Sequence, residues 1–96
     1  MPAYIVAEIE VADPAEFERY RPLAAASIER HGGRYIVRGG NTELLDGGPA
    51  PARLVVLEFA DADAARRWYN SPEYQAALKM RLASSRGRAV LVEGVG

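Results

Sequence analysis

The fold is decided by the stretch Arg53-Leu-Val-Val-Leu-Glu-Phe59. Successive side chains of a β-strand point to opposite faces of the sheet, and residues 54–57 are all apolar, so this strand is apolar on both faces. A strand of this kind lies in the middle of a sheet and needs a cover on each face. The stretch therefore predicts a central strand, with the chain's own helices available for one of its two faces.

A helix that breaks and restarts is predicted to follow the central strand. Asp61 is placed to cap the first turn, and Trp68 is predicted to anchor the helix in the core. The sequence Asn70-Ser71-Pro72-Glu73 is a second start signal, with serine as the N-cap and proline at the first helical position. The apolar stripe beyond it comprises Tyr74, Leu78 and Leu82. A polar loop is predicted at 84–87 and the last strand at 88–93.

The N-terminal half also predicts a strand, a helix and a strand. Residues 3–11 alternate between apolar and other side chains, as in a strand with one buried face. Asp13-Pro14-Ala15-Glu16 starts a helix, which His31-Gly32-Gly33 ends. Pro22 predicts a kink or a restart in it, because proline cannot donate to the carbonyl four residues back. A short strand is predicted at 34–38, and residues 42–46 are a candidate for a few more extended residues.

The order of elements is strand, helix, strand, strand, helix, strand, which predicts an α+β fold. With right-handed crossovers this order is the ferredoxin-like βαββαβ arrangement. It has one four-stranded, mainly antiparallel sheet in the order 4-1-3-2, and both helices lie on the same face. A length of 96 residues predicts a single domain spanning residues 1–96.

The sheet face without helices is predicted to be covered by a second copy of the chain. The odd residues of the first and third strands are uniformly apolar, so we assign them to the helix side. The opposite face then carries Val6, Glu8, Leu54, Val56 and Glu58. Extending the same parity to the edge strands adds Ile36, Arg38, Leu91 and Glu93. Because the apolar members would otherwise face water, we expect a homodimer packed sheet to sheet.

Composition argues against several classes of function. The formal net charge is −1, whereas nucleic-acid binding needs a clustered basic face. With no cysteine and one histidine, the sequence predicts no metal site, and nothing in it calls for a cofactor. No apolar run approaches the ~20 residues of a membrane span. The N-terminus is typical of a strand rather than a signal peptide, so we expect a cytoplasmic protein.

A set of short motifs is spread over nearly the whole chain: His31-Gly32-Gly33, Arg38-Gly39-Gly40, Gly47, Arg53, Val55-Val56-Leu57-Glu58-Phe59, Trp68-Tyr69, Ser71-Pro72-Glu73-Tyr74, Arg81 and Glu93-Gly94. With these residues the chain resembles a family of small bacterial proteins known as domain of unknown function 1330, in the dimeric α+β barrel superfamily. The resemblance implies two ferredoxin-like subunits packed sheet to sheet and no established activity. Superfamily relatives include cofactor-free monooxygenases, isomerases of ring-cleavage products and haem enzymes, and fold alone does not choose among them.

Arg38 and the three glutamates Glu8, Glu58 and Glu93 form the sharpest candidate constellation. If the predicted parity holds, they point into the space between two sheets. A carboxylate crowded by others in a low dielectric can act as a general base, which makes Glu58 a candidate catalytic residue. An arginine there could bind the carboxylate of a ligand. The alternative is an ion network that joins the two subunits.

Two further groups of residues are candidates. His31 could act as a general base near neutral pH, although a cation in the last turn of a helix is also favourable for the helix dipole. The candidates for substrate binding are Arg38, Asn41, Tyr69 and Tyr74.

Two functional hypotheses remain open. In one, the protein is a cofactor-free enzyme or binder of a small organic molecule, anionic or aromatic, in a pocket beside the sheet. In the other, it is a non-catalytic dimeric module whose polar interior only fixes assembly. A pocket on which Arg38 and a carboxylate converge would favour the first hypothesis. An interior in which every charge is paired would favour the second.

Overall fold

The computed structural model describes all 96 residues, Met1–Gly96. The elements in chain order are β1 (Ala3–Val11), α1 (Pro14–Arg30), β2 (Arg34–Arg38), β3 (Leu54–Phe59), α2 (Ala62–Tyr69), α3 (Pro72–Ser84) and β4 (Ser85–Glu93). The four strands form one sheet in the order β2-β3-β1-β4, and every neighbouring pair is antiparallel. The predicted ferredoxin-like topology is therefore confirmed. None of the three helices combines the length and the apolar character needed to cross a membrane.

The core lies between the sheet and the helices. The odd residues of β1 and β3 supply the sheet side of the core, and Phe59 is 1% exposed. The helix side comes from apolar stripes on all three helices, with Phe17, Tyr20, Ala24, Ile28, Ala65, Trp68, Tyr74, Ala77 and Leu78 buried. The prediction that Trp68 is a core residue is confirmed, because it is 2% exposed and its Nε1 donates to Ser27 Oγ at 3.0 Å.

The helix starts follow the predicted caps. Asp13 accepts from the backbone N–H of Glu16, Asp61 from that of Ala64 and Ser71 from that of Tyr74. The predicted break near residue 71 is confirmed, since α2 ends at Tyr69 and α3 begins at Pro72.

The helix does not restart at Pro22, because α1 runs continuously from Pro14 to Arg30, and the alternative, a kink at Pro22, stays a prediction. Pro22 itself is exposed. Buried residues of α1 lie on both sides of it, Tyr20 before and Ala24 after. We attribute the continuity of the helix to this packing, which offsets the hydrogen bond that proline cannot make.

Three local predictions near the ends of elements are also wrong. No strand forms at 42–46, and Leu82 is 64% exposed instead of joining the core. The predicted polar loop at 84–87 does not exist either, because α3 passes directly into β4 at Ser84 and Ser85. The two serine hydroxyls donate to the carbonyls of Met80 and Arg81 at 2.6 Å each, which satisfies acceptors at the helix end without a loop.

The strand register reverses the predicted facing of both edge strands. In β2, Tyr35 is opposite Leu57 but Val37 is opposite Val56, so one residue, Ile36, is bulged out of the pairing. A bulge of one residue exchanges the two faces beyond it, and Arg38 therefore pairs with Val55 on the helix side. In β4, Leu91 is opposite Ile5 and Glu93 is opposite Ala3, so their parity is also that of the helix side.

The sheet face without helices, called here the open face, is apolar with paired charges. Its apolar side chains are Val6, Val37, Leu54, Val56, Val90 and Val92. Glu58 bonds to Arg34 at 2.6 Å and accepts from the hydroxyl of Tyr4 at 3.4 Å, and Glu8 bonds to Arg88 at 3.0 Å. Two of the three glutamates predicted as members of a reactive cluster, Glu8 and Glu58, are thus held by arginines of the same chain.

Replacing Trp68 by alanine is expected to cost about 3–5 kcal/mol of unfolding free energy, as for other buried tryptophans. The substitution empties space beside Phe59 and Tyr74 and leaves Ser27 without its donor. Urea denaturation with an unchanged slope would measure the loss. Leu82→Ala, at an exposed position, is the control and should change the unfolding free energy by less than about 0.5 kcal/mol. An equal loss in the two variants would contradict the core role of Trp68.

Candidate functional site

A cavity of about 40 Å³ lies between the sheet and the helices. A single water needs roughly 10–15 Å³ by this measure, so the space corresponds to about three water molecules. Most of the lining is apolar. The polar lining residues are four arginines and three tyrosines, with no carboxylate among them: Arg21, Arg38, Arg53, Arg81, Tyr20, Tyr35 and Tyr74.

Arg38 reaches this cavity because of the bulge in β2. The bulge returns Arg38 to the face that Tyr35 occupies, three residues earlier on the same strand. The guanidinium carbon of Arg38 lies 4.2 Å from the centroid of the Tyr35 ring. A cation stacked on an aromatic face is held in place by the ring quadrupole, so Tyr35 orients Arg38 at the cavity.

Arg53, the residue just before β3, also lines the cavity. Its carbonyl accepts from the backbone N–H of Ile9 at 2.8 Å, and its guanidinium carbon lies 5.5 Å from the centroid of the Phe17 ring. Gly39, at φ +71°, lies close to the same guanidinium, since a Cβ placed there would lie 2.9 Å from Arg53 Cζ. Arg53 Nε is buried and has no hydrogen-bond partner. A buried donor left in this state costs about 1–3 kcal/mol.

Tyr20, Tyr74 and Arg81 form a hydrogen-bonded chain at the helix side of the cavity. The two tyrosine hydroxyls lie 2.9 Å apart, and Arg81 Nη1 donates to the Tyr74 hydroxyl at 3.2 Å. Burial raises the pKa of Tyr20 and of Tyr74 above the ordinary value of a phenol, and burial also raises the pKa of Tyr35. All three side chains therefore stay neutral at physiological pH and keep their protons for hydrogen bonding.

The cavity carries a net positive charge. Arg38, Arg53 and Arg81 form no ion pair with any carboxylate, while Arg21 bonds to Glu18 at 3.0 Å. Cations that line one concave site with apolar walls create a positive potential there and attract anions. Groups of three or more histidine, aspartate or glutamate side chains that could hold a metal ion are absent.

The sequence-predicted site residues separate into two sets. Arg38 and Tyr74 lie together at the cavity. Glu58 lies on the open face instead, and His31 caps the C-terminal end of α1. The ring of His31 contacts the carbonyl of Ser27 through Nδ1 at 3.0 Å and the carboxylate of Glu73 through Nε2 at 3.3 Å. The predicted meeting of Arg38 with Glu8, Glu58 and Glu93 does not occur. The bulge places Arg38 on the face opposite to Glu8 and Glu58. Glu93 lies on β4, at the other edge of the sheet from β2.

Neither Tyr69 nor Asn41 lines the cavity, and the two residues lie in different parts of the fold. Tyr69 lies half-buried beside Asn70 in a separate groove of about 300 Å³ between α2 and β4. Its ring centroid is 5.6 Å from that of Tyr74, which places it behind the cavity wall. Asn41 is exposed in the segment that joins β2 to β3. Their roles in binding stay predictions.

Sequence reasoning did not single out Arg53, Arg81, Tyr20 or Tyr35 as site residues, although two of them left a signal. Arg53 has the same parity as Val55 and Leu57, so its charged side chain is expected on the core side of the central strand. Arg81 lies seven residues after Tyr74, which places it on the same face of α3. A charged residue in line with an apolar face is the pattern that could have revealed this site.

The family model for "Domain of unknown function (DUF1330)" matches residues 2–95. No curated protein matches the chain.

The chain is also similar to several solved structures. A protein of unknown function from Rhodopseudomonas palustris has a TM-score of 0.81 at 17% identity, with 99% of this chain and 83% of that chain covered. SnoaB from Streptomyces nogalater, described as a cofactor-independent oxygenase, has a TM-score of 0.68 at 22% identity, with 99% and 94% covered. A dimeric ferredoxin-like protein of unknown function from Jannaschia sp. CCS1 has a TM-score of 0.67 at 18% identity, with 98% and 100% covered. At these identities the likeness shows the fold.

Arg53→Met is expected to raise the melting temperature of the ligand-free protein or leave it unchanged. The substitution keeps an apolar stem but removes a buried donor that has no acceptor, and the loss of an unpaired polar group does not destabilise. Differential scanning calorimetry in a buffer free of carboxylates and phosphate would test this. Arg67→Met, at an exposed position of α2, is the matched control. A fall of several degrees for Arg53→Met alone would show that Arg53 is structural.

Proposed function

We propose that this chain, which belongs to the DUF1330 family, binds a small organic anion in the cavity between its sheet and its helices. The observation that carries the proposal is that Arg38, Arg53 and Arg81 line one cavity, form no ion pair and have no carboxylate beside them in its lining. Arginine binds carboxylates through paired N–H groups in one plane, and such hydrogen bonds are stronger than neutral ones. An anion would supply the negative charge that this cavity lacks.

A reaction of the bound anion would use tyrosine as a hydrogen-bond donor. The Tyr20–Tyr74 pair lines the same cavity, and burial raises the pKa of both hydroxyls, so both keep their protons. A neutral phenol can donate a hydrogen bond to an oxygen on which negative charge develops. Glu58 and His31 stay candidates for catalysis, although their present partners give each of them a structural role as well. Whether the chain is an enzyme or a binder is decided by turnover of the ligand once it is identified.

The same proposal includes a homodimer that forms through the open face. This face has no helix over it, and Val90 and Val92 are 46% and 47% exposed. Apolar strands in the middle of a sheet are normally covered on both faces. The carboxylates of Glu8 and Glu58 are paired with arginines of the same chain, so both would keep a partner if the face were buried. The second copy would complete the layer without entering the cavity. The alternative function, an assembly module without a ligand, shares this interface but needs no anion.

Arg38→Ala is expected to keep the fold and the dimer while weakening anion binding at least tenfold, because it removes one of three unpaired cations. Isothermal titration of the parent with a panel of small carboxylates and phosphate, in a low-chloride buffer at pH 7, would identify the ligand first. Arg30→Met, at an exposed position on α1, is the control and should bind as the parent does. If no anion binds the parent, the assembly module replaces this function.

Val56→Asp is expected to convert a micromolar dimer into a monomer. Val56 is opposite both Val6 and Val37, so the new carboxylate would stand at an apolar point of the open face without a partner. Analytical ultracentrifugation would measure the mass, with circular dichroism as the check on folding. Val95→Asp, at a 95% exposed position near the C-terminus, should remain dimeric. A parent that sediments as a monomer throughout the micromolar range would refute the dimer.

A further inference from the structure

We infer that the segment between β2 and β3 is an arm that packs on the open face of a second copy of this chain. The arm comprises residues 40–52. This contact rests on the homodimer of the proposed function and adds the part of each subunit that reaches across to the other. The length of the arm, its two exposed leucines, its place beside the open face and its charge support the inference.

The arm is longer than the connection between two paired strands requires. β2 and β3 are neighbouring antiparallel strands, which a loop of about two to five residues usually joins. Residues 40–52 take part in no backbone hydrogen bond, and all of them are exposed except the half-buried Pro51. Long segments without secondary structure of their own usually serve a function, and no backbone hydrogen bond holds this one to its own chain.

Two adjacent leucines lie near the centre of the arm. Leu44 is 54% exposed and Leu45 is 86% exposed, and neither belongs to the core. A single exposed leucine is ordinary, whereas adjacent ones on a segment that buries nothing offer an apolar contact to another surface. The open face is a matching surface, because Val90 and Val92 are also about half exposed and no helix covers them.

The arm is attached beside the open face. Its last residues, 49–52, line a groove together with Glu8, Glu10, Arg86 and Arg88, which share the open face by their pairing. An extended chain spans about 3.3–3.6 Å per residue, so half of the arm, about six residues, reaches roughly 20 Å. Two sheets that pack face to face lie only about 10 Å apart. The arm is therefore long enough to cross to a second sheet and return.

The charges of the arm and of the open face are complementary. Glu43 and Asp46 are the charged residues of the arm, and neither forms an ion pair. The open face presents arginines outward, since the side chains of Arg34 and Arg88 are 71% and 75% exposed, against 24% and 39% for the glutamates that they bind. Each arginine donates to its glutamate through Nε, which leaves both Nη groups without an acceptor in the chain. A carboxylate of the partner's arm would supply this acceptor.

Replacing both leucines tests the contact. Leu44→Ser/Leu45→Ser is expected to raise the dissociation constant of the dimer by about tenfold or more, because it removes apolar area from the interface. Analytical ultracentrifugation would measure the constant, and circular dichroism should show an unchanged fold, since both positions are exposed. Leu82→Ser, at a 64% exposed position of α3, is the control and should dimerise as the parent does.

The outcomes separate the arm from the dimer. An unchanged dissociation constant in the double variant, or an equal rise for Leu82→Ser, would overturn the inference while the homodimer stands. Weaker anion binding with an unchanged dimer would overturn it too, because the arm would then close the cavity of its own chain. A parent that is monomeric would overturn the homodimer and the arm contact together.

Cross-linking locates the arm, and the absence of cysteine from the chain makes the reaction specific. Leu45→Cys is mixed with isotope-labelled Val90→Cys or Val92→Cys under mild oxidation, and mass spectrometry identifies mixed disulfides. We expect a mixed disulfide at one or both valine positions, and none when Leu82→Cys replaces Leu45→Cys. If Leu45→Cys forms no mixed disulfide at either position, the arm does not lie on the partner's open face and the inference is overturned.

Discussion

The structure depends on the need to cover both faces of β3, the central strand that is apolar on each side. β1 and β3 lie side by side in the middle of the sheet, and their odd residues form the floor of the core. The chain has enough helix to cover that floor and none for the other side. The helix side is therefore a buried core that contains a cavity lined by arginines and tyrosines, whereas the other face leaves Val90 and Val92 exposed.

Paired and unpaired charges lie on different faces of the sheet. On the open face, Glu8 and Glu58 are each paired with an arginine of a neighbouring strand, so covering the face would leave neither carboxylate without a partner. On the helix side, Arg38, Arg53 and Arg81 line the cavity and no carboxylate joins them. A protein that used polar residues only for assembly would gain nothing from unpaired cations beside its core. This is why the cavity, rather than the open face, is the place where we put the function.

The topology could be predicted from the sequence because it depends on strong local signals. The continuous apolar strand, three polar N-caps and two prolines at first helical positions act at short range, and each is where the pattern predicted it. The site could not be predicted with equal success, because it depends on the facing of edge strands. One bulged residue, Ile36, exchanged the facing of Arg38, and no feature of Arg34-Tyr-Ile-Val-Arg38 distinguishes a bulge from regular pairing. Arg53 and Arg81 were not predicted as site residues, because charged residues near the ends of elements usually reach solvent.

Because of its bulge, the number of residues in β2 determines both which side chain lies on the open face and which lies at the cavity. With Ile36 present, Val37 belongs to the open face and Arg38 to the cavity. A deletion of one residue here would exchange them, so that a hydrophobic side chain would enter the cavity and a charge would enter the open face. An insertion or deletion in this strand would therefore change the facing of every residue beyond it, whereas a substitution would change a single side chain. Among homologues, the spacing between the tyrosine and the arginine of β2 should vary less than the identity of the residue bulged between them.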